Sequence, residues 1–128
     1  MNVLQRGVFG EGKSQWKLQA DYGKPSCRWS DGATAVKVPA PGTDKPPAMK
    51  VGAWYGLRCE RTQDGAFVLT MTGAGGEVVY TSSATARLGP IVPDAPVLIG
   101  ANSASGESQE LSDQLHGDVK DVFVSTTG

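Results

Sequence analysis

The sequence predicts an all-β fold, and three observations support this prediction. Short runs of alternating apolar and polar residues, the period of a half-buried strand, recur along the chain. The 17 glycines and 8 prolines among 128 residues are spread between these runs, which is typical of frequent turns. No segment of ten or more residues carries apolar side chains at helical spacing. About nine short strands separated by turn signals indicate an antiparallel β-sandwich or barrel.

The first part of the chain contains four predicted strands, followed by a proline-rich loop at 39–47 that cannot lie inside a sheet. The strands are 2–6 (NVLQR), 14–21 (SQWKLQAD), 25–30 (PSCRWS) and 33–38 (ATAVKV). In the second of them, strict alternation places Trp16, Leu18 and Ala20 on one face. In the third, Cys27 and Trp29 share a face, and a DG turn follows.

The central part predicts a meander of three antiparallel strands joined by the glycine turns QDG and GAGG. The strands are 54–61, 66–72 and 77–83. One face of the first carries Tyr55, Leu57 and Cys59, and one face of the second carries Phe67, Leu69 and Met71.

Two more strands are predicted near the end of the chain, at 97–100 and 116–125. In the last one the apolar residues change parity between Val119 and Val122, which a β-bulge would explain. The proline-containing stretch 87–96 and the polar stretch 103–114 are predicted to be loops.

Composition limits the classes of function. The net charge of −1 gives no basic excess for neutralising phosphates, so nucleic acid is not an expected partner. No run of about eighteen apolar residues exists, so membrane insertion is not expected either. The length suits a single domain over 1–128. The start lacks the apolar region of a secretory signal. Either the protein is cytosolic, or a leader has been removed or the chain belongs to a longer protein, and we favour the second interpretation.

The two cysteines, Cys27 and Cys59, have more than one interpretation. With His116 as the only histidine, they cannot complete a zinc site. They are either two buried thiols or one disulfide between strands, and the residues alone do not decide between these.

Several fragments, in their order, resemble laminin G-like, concanavalin A-like domains, and they are similar in particular to versions in secreted actinobacterial proteins. The fragments are NVLQRG, QWKLQAD, PSCRWSDG, GAWYGLRCERTQDGAFVLTMTG, PVLIGAN and LHGDVKDVFV. Residues 98–100 match the family pattern LxIG. The residues that match most of the closing pattern FxGxIDDVRIY are Leu115, Gly117, Val119, Asp121, Val122 and Val124.

This resemblance implies a jelly-roll of two packed antiparallel sheets. It also implies that Cys27 and Cys59 form a disulfide, and hence an oxidising compartment and a secreted or cell-surface location. The family usually has one or two strands before the element with which this chain begins. A missing first strand would leave an edge for another segment or chain to complete.

The resemblance also bears on cofactors. Many relatives hold a structural calcium ion with an aspartate at the position of Lys120, and an ammonium group cannot ligate calcium. We therefore expect no cofactor and no metal.

Catalysis is not expected. The chain lacks the alternating carboxylates (ExDxE) of glycoside hydrolases with this fold, and it lacks a GxSxG motif. His116 has no nucleophile assigned to it by sequence and is expected at a strand end.

Binding of a carbohydrate is the leading hypothesis, because a sugar needs an aromatic platform beside hydrogen-bonding groups. Trp16, Trp54, Phe67 and Phe123 are predicted to lie in the core. The predicted ligand-binding residues, placed near strand ends, are Tyr22, Trp29, Asp31 and Asn102. The alternative for Trp29 is that it faces the core beside Cys27. The alternative function is a protein-interaction, adhesion or assembly domain without a sugar site.

Overall fold

The computed structural model describes residues 2–7, 12–93, 95–100 and 117–125, and within these ranges it contains strands but no helix. The strands are β1 (Asn2–Arg6), β2 (Ser14–Asp21), β3 (Lys24–Asp31), β4 (Ala35–Val38), β5 (Gly56–Arg61), β6 (Ala66–Thr72), β7 (Val78–Thr85) and β8 (Val97–Ile99). Each corresponds to a predicted strand, and the largest differences in bounds are two residues. The prediction of an all-β fold is confirmed.

The strands form two antiparallel sheets. The larger sheet has the order β4-β3-β2-β1-β8, and the smaller one has the order β5-β6-β7. Each sheet is built from strands that follow one another in sequence, except that β8 returns to pair with β1. The two sheets pack against each other as a sandwich, so the predicted antiparallel β-sandwich is confirmed.

The core lies between the sheets and is contributed by alternate residues. On β6, Phe67, Leu69 and Met71 are fully buried, as their parity predicts. Phe67 and Leu69 belong to one core cluster with the aligned residues Leu18, Cys27 and Val38 of the larger sheet. The ring of Trp29 meets that of Phe67 edge-on, with 4.9 Å between centroids. Edge-to-face packing of this kind adds roughly 0.5–1.5 kcal/mol to the burial of two aromatic rings.

A disulfide joins the two sheets. Cys27 on β3 is bonded to Cys59 on β5, and their Cα atoms are 5.9 Å apart. The pairing that the family resemblance implied is therefore confirmed, and the alternative of two free thiols is excluded. The bond also fixes the position of β5 over β3.

The outer face of the larger sheet is less exposed than its polar sequence suggests. Gln15 lies on that face and is buried; its Oε1 atom accepts a hydrogen bond of 2.7 Å from Arg28. Asn2 and Gln5 are also buried, and the amide of Asn2 donates to Gln5 Oε1 over 2.8 Å. Burial of these amides is tolerated because they find partners.

The predicted last strand is not formed in the part of it that the structure describes. Residues 117–125 are exposed and belong to neither sheet. Asp121 has a φ of 54°, a left-handed conformation that interrupts the extended run. Phe123, predicted to be core, is 82% exposed because the segment does not pack on a sheet. His116 and the predicted loop 103–114 lie outside the described residues.

The predicted free edge is not at β1. This strand pairs with β2 on one side and with β8 on the other, so the return of β8 takes the place expected for a missing strand.

Candidate functional site

Trp29 lies in the interior. Its side chain is only 6% exposed and packs against Phe67 in the core cluster. The prediction that it offers a surface platform to a sugar is wrong, and the alternative, that it faces the core beside Cys27, is confirmed. The reason is parity: two residues after a buried cysteine in the same strand, a side chain points to the same face.

The carboxylate of Asp31 binds backbone amides of the turn that follows β3 and of a segment distant in sequence. Its Oδ1 atom accepts hydrogen bonds from the amides of Ala33 and Thr34, at 2.8 and 2.7 Å, and Oδ2 accepts one of 2.8 Å from the amide of Gly89. These bonds, that from Thr34 first, lower the pKa of the Asp31 carboxyl to about 2. Both carboxylate oxygens are thus used inside the protein.

The segment that contains Gly89 is also bound by a residue of the smaller sheet. The guanidinium of Arg61, at the end of β5, donates to the carbonyl oxygens of Leu88 and Gly89, at 2.7 and 3.1 Å. Asp31 and Arg61 therefore fix residues 88–89 from β3 and β5 respectively. This arrangement is structural and leaves Asp31 little capacity for a ligand.

Tyr22 is the predicted site residue that the structure places at the surface. It lies in the β2–β3 turn with a φ of 54° and is 98% exposed. Asp31 is at the opposite end of β3, roughly 25 Å away along an eight-residue strand. Tyr22, Trp29 and Asp31 are therefore not brought together, and Asn102 lies outside the described residues.

Trp54, predicted to be core, is 46% exposed. It precedes β5, and the Nζ atom of Lys120 lies 4.6 Å from its ring centroid. The prediction is wrong because Trp54 is five residues from the buried-face Cys59, an odd spacing that points to the opposite face. The alternation along the strand indicates that Trp54 is exposed, whereas the family resemblance indicated that it is buried.

A groove that the sequence did not indicate lies along the edge of β7 that faces away from β6. Its volume is about 640 Å³. We call it the Tyr80 groove; its lining residues are Thr43, Asp44, Lys45, Tyr80, Thr81 and Ser82. The first three come from the proline-rich loop and the last three from β7.

Local structure explains how the loop reaches this edge. After β4, the chain turns at Ala40, whose carbonyl accepts a bond of 3.2 Å from the amide of Thr43. Since β4 lies against β7, the loop then passes beside β7. The hydroxyl of Tyr80 donates a bond of 2.7 Å to the carbonyl of Asp44, and Pro46 is buried. The loop is thereby attached to the strand.

The groove offers several kinds of contact. Tyr80 is half-buried, with its inner side packed on the core, and supplies an aromatic surface. Asp44 supplies a carboxylate, Lys45 an ammonium group, and the remaining side chains are hydroxyls. Among the described residues, no group of three metal-ligating side chains of the His, Cys, Asp and Glu types is found. Nor does this part of the chain contain a helix long and apolar enough to cross a membrane.

Sequence reasoning missed this groove for a physical reason. Tyr80 stands in a predicted strand and the loop 39–47 was predicted as such, but their contact depends on β4 packing against β7. A tyrosine followed by the hydroxyl residues Thr81, Ser82 and Ser83 was the available signal.

Comparison with known proteins does not place the chain in a family: no family model matches it, and no curated protein or solved structure is significantly similar.

Proposed function

We propose that the chain is a non-catalytic carbohydrate-recognition domain of the laminin G-like, concanavalin A-like type, and that the Tyr80 groove binds the sugar. The observation that carries the proposal is the juxtaposition of an aromatic ring with a carboxylate, an ammonium group and hydroxyls in one groove. The volume of about 640 Å³ falls in the range of roughly 300–1,000 Å³ usual for small-ligand sites.

The chemistry of a pyranose fits these groups. Its C–H faces are apolar and can lie on the ring of Tyr80. Its hydroxyls at the rim need both acceptors and donors, which Asp44 and Lys45 provide. The bond from Tyr80 to the carbonyl of Asp44 holds strand and loop in place before a ligand arrives, so little ordering has to accompany binding.

A secreted or cell-surface location is part of the proposal. The Cys27–Cys59 disulfide supports it, because disulfides persist mainly in oxidising compartments.

The test is a glycan array followed by titration calorimetry, with two matched variants of β7. Thr81 lines the groove, whereas Ser83 is exposed on the same strand, two residues away and outside the groove. We expect Thr81→Arg to abolish binding of the glycan identified on the array and Ser83→Arg to leave its affinity unchanged. Absence of binding to any glycan, or equal affinity of both variants, would exclude the groove as a sugar site.

A protein-interaction domain is the second candidate. It is favoured by the full exposure of two apolar side chains, Tyr22 and Val51, at one end of the molecule. The amide of Met49 donates a bond of 2.8 Å to the carbonyl of Gly23, which brings their two loops together. If this end binds a protein, Val51→Asp should abolish the capture of that protein, whereas Thr81→Arg should not.

A further inference from the structure

The two ends of the sandwich can be assigned from contacts between the sheets. Asp31, which ends β3, and Arg61, which ends β5, both bind Gly89, so these two strand ends lie together. The disulfide joins the same strands midway. The beginnings of β3 and β5 therefore share the other end of the sandwich. We call it the Tyr22 end, because the turn that contains Tyr22 precedes β3 there.

The two ends present different side chains to solvent. At the Tyr22 end, Tyr22 and Val51 are exposed over nearly their whole surface, and Trp54, just before β5, is exposed over almost half. At the other end, the turns after β3 and β5 contain residues 31–34 and 62–65, which read DGAT and TQDG. Large apolar side chains are therefore presented by the Tyr22 end, whereas these two turns of the other end are mainly polar.

The backbone conformation of Tyr22 is unfavourable for a tyrosine. Tyr22 and Gly23 form the turn between β2 and β3, and their φ values of 54° and 77° are both positive, as a type I′ turn requires. Asparagine and glycine adopt such values readily, whereas a bulky residue rarely does. The ring is 98% exposed, so packing within the chain does not offset this strain. A strained and exposed aromatic residue indicates a role outside folding.

Hydrogen bonds connect the apolar segments of this end to one another. The amide of Met49 donates to the carbonyl of Gly23 over 2.8 Å, which joins the loop before β5 to the β2–β3 turn. The amide of Lys50 donates to the hydroxyl of Tyr55 over 2.9 Å, next to Trp54. These backbone groups are thus paired inside the protein and need no partner in an apolar medium. The bonds also fix the apolar side chains in place, so little ordering has to accompany docking.

A lysine stands beside each of the three apolar side chains. The pairs are Tyr22 with Lys24, Val51 with Lys50, and Trp54 with Lys120, whose Nζ atom lies 4.6 Å from the ring centroid. Tyrosine and tryptophan prefer the interface between water and a lipid bilayer, because each combines an apolar ring with a polar group. Lysine reaches the same interface by burying its aliphatic stem and keeping its ammonium group among the headgroups.

This arrangement fits a lipid surface better than a protein partner. A protein interface is usually built on a continuous patch with a close match of shape. Here the apolar side chains stand on separate segments with lysines between them, and a fluid interface adapts to such protrusions. Carboxylates also occur near these segments, at Asp21, Glu77, Asp118 and Asp121. The apolar contacts, and not a net positive charge, therefore supply the attraction.

We infer that the Tyr22 end docks the protein on the surface of a phospholipid bilayer. Tyr22 and Val51 enter the boundary between headgroups and acyl chains, and Trp54 lies at the level of the headgroups. The adjacent lysines donate hydrogen bonds to headgroup phosphates. Docking of this kind takes place on the membrane surface and requires no spanning segment. It goes beyond sugar binding, because the Tyr80 groove is lined by other residues.

The test is cosedimentation of the full chain with phosphatidylcholine vesicles, which carry no carbohydrate. We expect the unaltered chain to bind the vesicles, also at high salt, because the attraction is mainly apolar. Val51→Asp should reduce the partition coefficient on the order of tenfold or more, since a charge replaces a side chain that enters the bilayer.

Val92→Asp is the matched control, because Val92 is 75% exposed and lies away from the Tyr22 end. Its neighbour Pro93 lies against Gly7, which borders Ser14, the partner of Asp31 in the sheet. The same substitution should therefore leave the partition coefficient unchanged at this position.

Tyr22→Asn separates membrane docking from folding. Asparagine adopts a positive φ more readily than tyrosine, so the urea midpoint of the variant should be unchanged or higher. The partition coefficient should nevertheless decrease, because the aromatic ring is lost from the interface. A role in folding alone would give the opposite pattern, a lower midpoint with unchanged partition.

Three results would overturn the inference. The first is that the unaltered chain does not sediment with the vesicles. The second is that Val92→Asp weakens binding as much as Val51→Asp does, which would show that the Tyr22 end is not the contact surface. The third is that Val51→Asp abolishes capture of a partner protein while vesicles are not bound, which would assign this end to a protein interface. None of these results bears on sugar binding, which is tested with glycans and variants of β7.

Discussion

The two tryptophans nearest in sequence to the bonded cysteines have opposite environments. Trp29 follows Cys27 on β3 and is buried against Phe67, whereas Trp54 precedes Cys59 and β5 and is nearly half exposed beneath Lys120. Both cysteines belong to the same bond. Residue type and proximity to a buried cysteine therefore do not determine burial.

The comparison shows that the burial of a tryptophan depends on its spacing from the cysteine and on whether it lies within the strand. Trp29 is two residues from its cysteine and within the strand, so its side chain points to the same side as the sulfur. Trp54 is five residues from its cysteine and outside the strand. An odd spacing reverses the face, and a position before the strand removes the neighbours that would cover the ring.

Among the variants that test this comparison, Trp29→Ala should have the largest effect on stability. We expect a loss of roughly 3–5 kcal/mol in the free energy of unfolding, because a large side chain leaves a cavity beside Phe67. Urea denaturation followed by circular dichroism measures it. A loss below about 1 kcal/mol would contradict the interior position of Trp29.

Removal of the disulfide, which links the two regions, should have the next largest effect. The bond spans 32 residues, and the double variant Cys27→Ala, Cys59→Ala should unfold with roughly 2–4 kcal/mol less free energy. Denaturation in the absence of reductant measures this loss. As a control, a reductant should destabilise the unaltered protein and leave the variant unaffected.

The hydrogen bonds of the Asp31 carboxylate predict that the stability of the protein decreases in acid. Its pKa is lowered from 3.8 to about 2 in the folded protein, so its contribution to stability is complete above about pH 4 and is lost as the pH falls towards 2. Asp31→Asn should therefore be less stable than the unaltered protein at pH 7.

The urea midpoints of the two proteins, measured from pH 7 down to pH 2, check this expectation. The difference between the two midpoints should shrink below pH 4. Protonation removes the negative charge of Asp31 from the unaltered protein, and the substitution removes the same charge from the variant. A difference that stays constant over this range would contradict the role assigned to the Asp31 carboxylate.

Trp54→Ala should have the smallest effect, below about 1 kcal/mol, since it removes a partly exposed ring and one cation–π contact. Iodide quenching gives an independent check. The fluorescence lost in Trp54→Phe should belong to the component that iodide quenches. If iodide quenches the variant as strongly as the unaltered protein, Trp54 is not the accessible ring.

Much of the fold could be predicted from local pattern. The β6 strand has the predicted bounds, 66–72, because its alternation is strict and a glycine turn flanks each end. The strand predicted at 116–125 is not formed in its described part, residues 117–125, where Asp121 adopts a left-handed conformation. Apolar spacing indicates the capacity to form a strand but does not supply a pairing partner.

The candidate site could be predicted less well. Exposure of Tyr22 followed from its place before a glycine turn, but the internal use of Asp31 depends on Gly89, fifty-eight residues away. The Tyr80 groove likewise unites a loop and a strand separated by thirty-six residues. Local sequence carries no information on such distant contacts.

The sequence by itself determined the all-β class, the strands of both sheets and the buried face of β6, because these follow from the period of two and from turn residues. Only the tertiary structure decided which loop meets Tyr80, which distant amide binds Asp31 and which strands form the edges of the described sheets. Those properties arise when distant segments pack, and packing depends on the whole chain.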